Sequence, residues 1–225
     1  MIDFINDAER ERVTRAVADA EAKTSAEIVP VIAEASDGYD RPEDVAGIWL
    51  AGLAISAVWF LVPSQVEVPG SWVEHSSWLW LLLILAAGLL AFFAGAFAAS
   101  QIDWLRKVFT PKSQMNAAVL TKASQAFFDN RIHHTDCSTG VLIYVSLYER
   151  QAVVLGDEAV SEKLGPAGLE QICNELTASM KAGHHVIDAV CTAVKSTGDK
   201  LATVLPRQST DQNELKDVLI ELGKP

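Results

Sequence analysis

Basic residues are missing from the middle of this chain: no Lys or Arg lies between Arg41 and Arg106. Acids are also missing between Asp44 and Glu67 and between Glu74 and Asp103. Two stretches that hold no charge at all do not read as solvated surface. They also argue against an ion or proton pathway, which needs polar or ionisable groups within the membrane. Cysteine is scarce. Cys137, Cys173 and Cys191 show neither metal nor redox spacing, which removes zinc-ribbon and dithiol readings, and the odd count fits a reducing compartment. There is no phosphate-cradling Gly-x-x-x-x-Gly-Lys loop, no Gly-x-Ser-x-Gly elbow and no His-Glu-x-x-His pair. No basic patch offsets the net charge of −11, so nucleic-acid binding is not expected. The opening Met1-Ile2-Asp3-Phe4 lacks a basic flank and an apolar core, so no cleavable signal is expected there.

The uncharged stretches are apolar runs, residues 45–62 and 78–99. A membrane-crossing helix needs about 20 such residues. Trp49, Trp59, Trp72, Trp78, Trp80 and Trp104 all fall in or beside this region, as expected where hydrocarbon meets headgroups. A transmembrane hairpin is therefore expected over residues 45–100, with spans at about 45–63 and 78–99. Ala87, Ala91, Gly95 and Ala99 recur every fourth residue in the second run, and Gly52 and Ser56 do so in the first. Small residues at that spacing let helix backbones approach closely, within the hairpin or in a homodimer. Arg106, Lys107 and Lys112 follow the second run, while the linker between the runs has no base. The positive-inside rule then places both termini in the cytoplasm, with a bacterial inner membrane as the simplest home.

The flanking segments read as one soluble domain in two pieces, residues 1–44 and 101–206, followed by a polar linker and short amphipathic tail over 207–225. Residues 1–44 carry 12 acids and 5 bases. Asn6 and Glu9 form a capping-box pattern ahead of Val13, Ala16, Val17 and Ala20. Residues 27–33 are rich in β-branched Ile and Val and read as a strand, with Pro30 at an edge or on a side that needs no ladder bond. Residues 112–130 read as a helix, 141–147 as a strand buried on both faces, and 151–155 as its hairpin partner. Helices are expected from Gly165-Pro166 to Gly183 and from His185 to Leu205, and a short one over residues 214–222. The fold class is α/β, a small mixed sheet sandwiched by helices and interrupted by a two-helix transmembrane hairpin.

Thr24-Ser25-Ala26-Glu27-Ile28-Val29 resembles the Thr-Ser-Gly-Glu-Ile opening of the TPM domain family. Thr135, then Thr139-Gly140-Val141-Leu142-Ile143-Tyr144-Val145-Ser146, then Glu149-Arg150, resembles its central signature. Gly156-Asp157-Glu158 resembles its Gly-Asp-x-Gly-Ile segment. The family includes thylakoid-lumen photosystem-repair proteins and bacterial membrane proteins. The resemblance implies an α/β/α sandwich. It implies a role in assembly or repair, acid phosphatase activity, or binding of divalent cations. Ala26 and Ala159 stand where Gly is usual, and Leu169 lies near a usual Trp.

Asp157 and Glu158, with Asp136, are the candidate metal ligands. Their oxygens suit Ca2+ or Mg2+, which take about six or more; the plainer alternative is strand-end and helix-capping carboxylates. Glu27 either approaches the same pocket or pairs with Arg150. Thr135 and Thr139, beside Gly140, contact phosphate or cap turns. His133-His134, and His184, His185 and Asp188, carry no complete metal spacing. No nucleophile is evident, and the catalytic residues are left open. The expectation is a membrane-anchored binding, assembly or repair module with the lipid bilayer and a membrane-protein partner. The alternative is a weak metal-dependent acid phosphatase using metal-activated water.

Overall fold

The computed structural model describes residues 5–39, 41–61, 77–102, 108, 110–135, 137–208, 214, 215 and 217–224. The chain divides into two units. The first comprises Met1–Gly38 and Met115–Pro225, the second Tyr39–Gln114.

The first unit begins with α1 (Asp7–Glu21). Its capping box is present: Asn6 Oδ1 accepts the Glu9 N–H at 2.8 Å, and a Glu9 carboxylate oxygen accepts the Asn6 N–H at 3.0 Å. Strand β1 (Glu27–Ala33) follows, then, beyond the second unit, a helix called here α4 (Lys112–Asp129). Strands β2 (Gly140–Ser146) and β3 (Gln151–Gly156) form a hairpin. Helices α5 (Glu158–Lys181) and α6 (Val186–Val204) and strand β4 (Ile220–Leu222) complete the unit.

The sheet order is β3-β2-β1-β4. β1 is parallel to both neighbours, and β2 and β3 are antiparallel. All seven residues of β1 and of β2 are buried, because helices cover both faces. Ile28, Ile32, Val141, Ile143 and Val145 pack with Val13 and Val17 of α1, Ile172 and Leu176 of α5 and Val190 and Val194 of α6. Val29, Val31, Leu142 and Tyr144 pack on the other side with Val119, Ala123 and Phe127 of α4. Burying each such side chain stabilises by about 1.5–3 kcal/mol, so the two apolar layers hold the sheet between the helices.

Pro30 lies inside a central strand, and the register explains how. The Ala33 carbonyl accepts the Leu147 N–H on the β2 side, and the Glu34 N–H donates to Leu222 on the β4 side. By alternation Pro30 turns its nitrogen toward β4. β4 pairs only with residues 31–33, so no ladder bond is required at Pro30. Gly165 has φ 68° and breaks α5 just ahead of Pro166, where the sequence places a helix start. Gly183, with φ 87°, follows that helix.

The tail differs from expectation. Residues 214–222 were expected as a helix, yet residues 220–222 form β4 beside Val31–Ala33. The unpaired edge of β1 needs hydrogen-bond partners, and Leu219 is buried as the tail docks. Four apolar positions over eight residues fit a helix and a short strand equally, and tertiary pairing decided between them.

The second unit contains α2 (Arg41–Leu61) and α3 (Ser77–Gln101). Within them, Glu43–Leu61 and Trp78–Gln101 are long and apolar enough to cross a membrane. They pack on each other, yet only 11% of each stretch is buried. Trp49, Leu53, Trp59, Phe60, Leu90 and Phe97 are all exposed, which is not how the core helices of a soluble protein look. Residues 62–76, with Trp72 and nearly all the linker, lie outside the described residues, as does Trp104.

Candidate functional site

The sheet end where β1 and β2 begin and β3 stops collects most of the expected site residues. Glu27 is paired in register with Gly140, and the Asp157 N–H donates to the Gly140 carbonyl at 2.8 Å. Gly140 is required here: a Cβ on it would lie 2.1 Å from the Ile132 carbonyl oxygen. The loop before it is held by Thr135, whose hydroxyl accepts the Thr139 N–H at 2.9 Å. Ala159 donates its N–H to the Ser138 carbonyl at 3.1 Å, tying the loop to the start of α5. Thr135 and Thr139 are both buried; Thr135 closes a turn.

Asp157 is the N-cap of α5. Its Oδ1 accepts the Glu158 N–H at 2.8 Å, where a carboxylate also favours the positive helix end. Its Oδ2 is buried with no hydrogen-bond partner among the described residues. Glu158 is exposed in the first helical turn. Asp136 lies outside the described residues. Among the described residues, no three His, Cys, Asp or Glu side chains converge as metal ligands would.

Glu27 and Arg150 do not meet, which corrects one of the two expected pairings. Parallel pairing sets Glu27 beside Gly140, whereas Arg150 follows Ser146 at the other end of β2. Arg150 instead has φ 54° in the turn into β3 and is exposed. Glu27 accepts the backbone N–H groups of Glu214 and Leu215 at 3.2 and 3.3 Å. Burial pushes its carboxyl above the usual range, while those two N–H groups pull the other way. Nearby, Glu21 Oε1 accepts the Ile28 N–H at 2.8 Å. Its carboxyl is pushed up to about 8, first by burial and further by Glu27 and Asp217.

The opposite sheet end holds a buried network that sequence reasoning missed. Glu149 Oε1 accepts the Ser36 N–H at 2.9 Å, and its Oε2 accepts the Ser146 hydroxyl. Ser36 Oγ and the Tyr144 hydroxyl are 3.0 Å apart. Burial raises the Tyr144 phenol above its ordinary value. All four residues are buried. The available signal was a pair of serines placed just after, or at the end of, two paired apolar strands, with an acid three residues beyond Ser146.

His185 is the N-cap residue of α6, and Arg12 holds Asp188 in an exposed ion pair that lowers the Asp188 carboxyl. The ring centroids of His133 and His134 lie 5.1 Å apart, and that of His133 lies 5.0 Å from that of Phe128. In the second unit, a Cβ on Gly95 would lie 3.0 Å from the Ala46 carbonyl, 3.0 Å from Gly47 Cα and 3.1 Å from Leu50 Cβ. Ala99 is fully buried, and Ala87 and Ala91 are half-buried. Gly52 faces open space, and Ser56 donates back to the Gly52 carbonyl at 2.8 Å. The expected Gly52–Ser56 packing is therefore not where the helices meet. Gly47 and Gly88 take that role instead, against Phe92 and Ile55.

No family model matches the chain, and no curated protein matches it. Among solved structures, it is similar to the BA42 protein of the psychrophilic bacterium Bizionia argentinensis, determined by NMR. The TM-score is 0.57 at 15% identity, with 98% of this chain and 97% of that chain covered. At that identity the likeness is one of fold.

Proposed function

We propose that this chain is an integral membrane protein whose TPM-like α/β domain is a binding, assembly or repair module at the membrane surface. One observation carries the reading: α2 and α3 pack together and still expose most of their apolar surface. Water does not favour that arrangement, and a bilayer does. The positive-inside rule supports two passes through a bacterial inner membrane with both termini cytoplasmic. Two carboxylates of the expected site are engaged in holding the fold, Asp157 as a helix cap through Oδ1 and Glu27 on the tail backbone. Photocrosslinking in cells followed by purification from membranes tests the role. Recovery of one defined membrane-protein partner is expected, and the absence of any crosslinked species would sink it.

A second reading, a divalent-cation-dependent acid phosphatase, draws on Asp157 Oδ2, which is buried without a partner among the described residues. A buried carboxylate oxygen in that state is costly unless something pairs with it. Ca2+ or Mg2+ held by Asp157 would activate water. Phosphate-ester hydrolysis that is lost on chelation and in Asp157→Asn would favour this reading over the first.

A further inference from the structure

The outer face of α4 differs from the other helix surfaces of its unit. α1 exposes Asp7, Glu11, Arg12, Arg15 and Asp19, as a solvated helix does. On α4, every exposed position from 113 to 128 is uncharged. Four large apolar side chains of the first unit are exposed among the described residues. The two most exposed are Leu120 at 52% and Phe128 at 60%, both on α4. Ala117, Thr121 and Gln125 fill the face around them. In a chain of net charge −11, residues 104–128 contain four bases and no acid. Lys122 and Arg131 flank the apolar face, with Asp129 as the one acid beside them. Ten residues separate the end of α3 from α4, which limits the distance between them to about 40 Å.

We propose that this face rests on the anionic phospholipid surface of the membrane that α2 and α3 cross. Leu120 and Phe128 enter the headgroup layer, and Lys122 and Arg131 meet lipid phosphates. The proposal depends on the membrane-spanning reading of α2 and α3. Charge complementarity selects the occupant, since anionic lipid favours an acid-poor, base-flanked face. A tether of that length lets the face reach the same bilayer.

The test uses the full chain in nanodiscs of phosphatidylcholine, with and without phosphatidylglycerol. Ser124→Cys in a Cys137→Ser background carries an environment-sensitive fluorophore, and Ala18→Cys on α1 serves as the control. Protein with Cys137→Ser alone sets the labelling background. A lipid with a nitroxide near its headgroup is the quencher, and the native tryptophans report on the hairpin. The expected result is quenched tryptophan in both discs, and quenching at position 124 several-fold stronger with phosphatidylglycerol. Position 18 should stay unquenched, and the double variant Leu120→Ser, Phe128→Ser should abolish the signal at 124. Quenched tryptophan with position 124 unquenched overturns the docking alone. Energy transfer between labels at 124 in place of lipid quenching overturns it in favour of a second copy on that face. Unquenched tryptophan overturns the membrane reading itself and the docking with it.

Discussion

The backbone N–H of Ser36 donates to the carboxylate of Glu149, 113 residues away in sequence, at 2.9 Å and out of contact with water. The bond ties the end of β1 to the turn between β2 and β3. Glu149→Ala leaves the Ser36 N–H and the Ser146 hydroxyl without their acceptor. Each unsatisfied buried group costs about 1–3 kcal/mol, so a loss on the order of 3 kcal/mol is expected. Glu149→Gln keeps an acceptor and should lose less. Denaturant unfolding of the detergent-solubilised full chain reads the difference. A loss below about 1 kcal/mol for the alanine variant would mean that water replaces the carboxylate.

Glu21 should make the fold sensitive to alkaline pH. Its folded-state carboxyl is pushed up to about 8 from an ordinary 4.5. The folded chain therefore binds a proton more tightly than the unfolded one. This contribution is present in full below the ordinary carboxyl range and is lost as pH rises through about 8. With allowance for residual exposure, the loss is on the order of 2 kcal/mol. Glu21→Gln keeps an acceptor for the Ile28 N–H and should flatten the fall in Tm between pH 5 and 8.5. An unchanged pH profile would remove Glu21 as the cause.

Two glycines should respond in opposite ways to alanine. Gly140→Ala places a methyl 2.1 Å from a backbone carbonyl, and about 2–3 kcal/mol of destabilisation is expected. Gly52 has open space around it, and Ala is the better helix former by about 1 kcal/mol. Gly52→Ala should leave Tm unchanged or higher, whereas Gly95→Ile should separate α2 from α3. Disulfide crosslinking between engineered cysteines on the two helices measures that separation.

Arg10 should matter more than Arg12. Arg10 Nε donates to Glu221 Oε1 at 2.6 Å, and the Glu221 side chain is only 9% exposed. Removing the guanidinium leaves a buried carboxylate on β4, at a cost of about 2–4 kcal/mol. Faster amide exchange confined first to residues 220–222 is the expected signature of Arg10→Ala. The Arg12–Asp188 pair is exposed at both ends, so Arg12→Ala should change little. Equal effects of the two variants would show that β4 is held by its ladder bonds alone.

Local patterns in the sequence were strong where one face or one terminus decides the outcome. Asn6 and Glu9 sit three apart because a helix start requires it, and a nearly all-apolar β2 reads as buried on both faces because it is. The two long runs without charge are equally plain. The misreadings come from non-local pairing. The strand, helix, strand order of the soluble pieces implies a parallel β1–β2 pair, and that pairing sends Glu27 and Arg150 to opposite ends of the sheet. The helical reading of residues 214–222 failed for the same reason, since the open edge of β1 recruits β4. At the site, the capping alternative for Asp157 was legible in the sequence as an acid between strand and helix. Glu149 was passed over because its two serine partners are far apart in sequence, Ser36 beyond the end of β1 and Ser146 at the end of β2.

The strand at the centre of the sheet is made early, and both of its neighbours are made late. While the ribosome adds the apolar stretches, β1 has neither β2 nor β4 to pair with. Synthesis of the apolar hairpin therefore precedes closure of the domain. The first piece of the chain must be kept from aggregating through that interval. Its dense load of acids gives it the means, because like charges hold unfolded copies apart until β4 arrives.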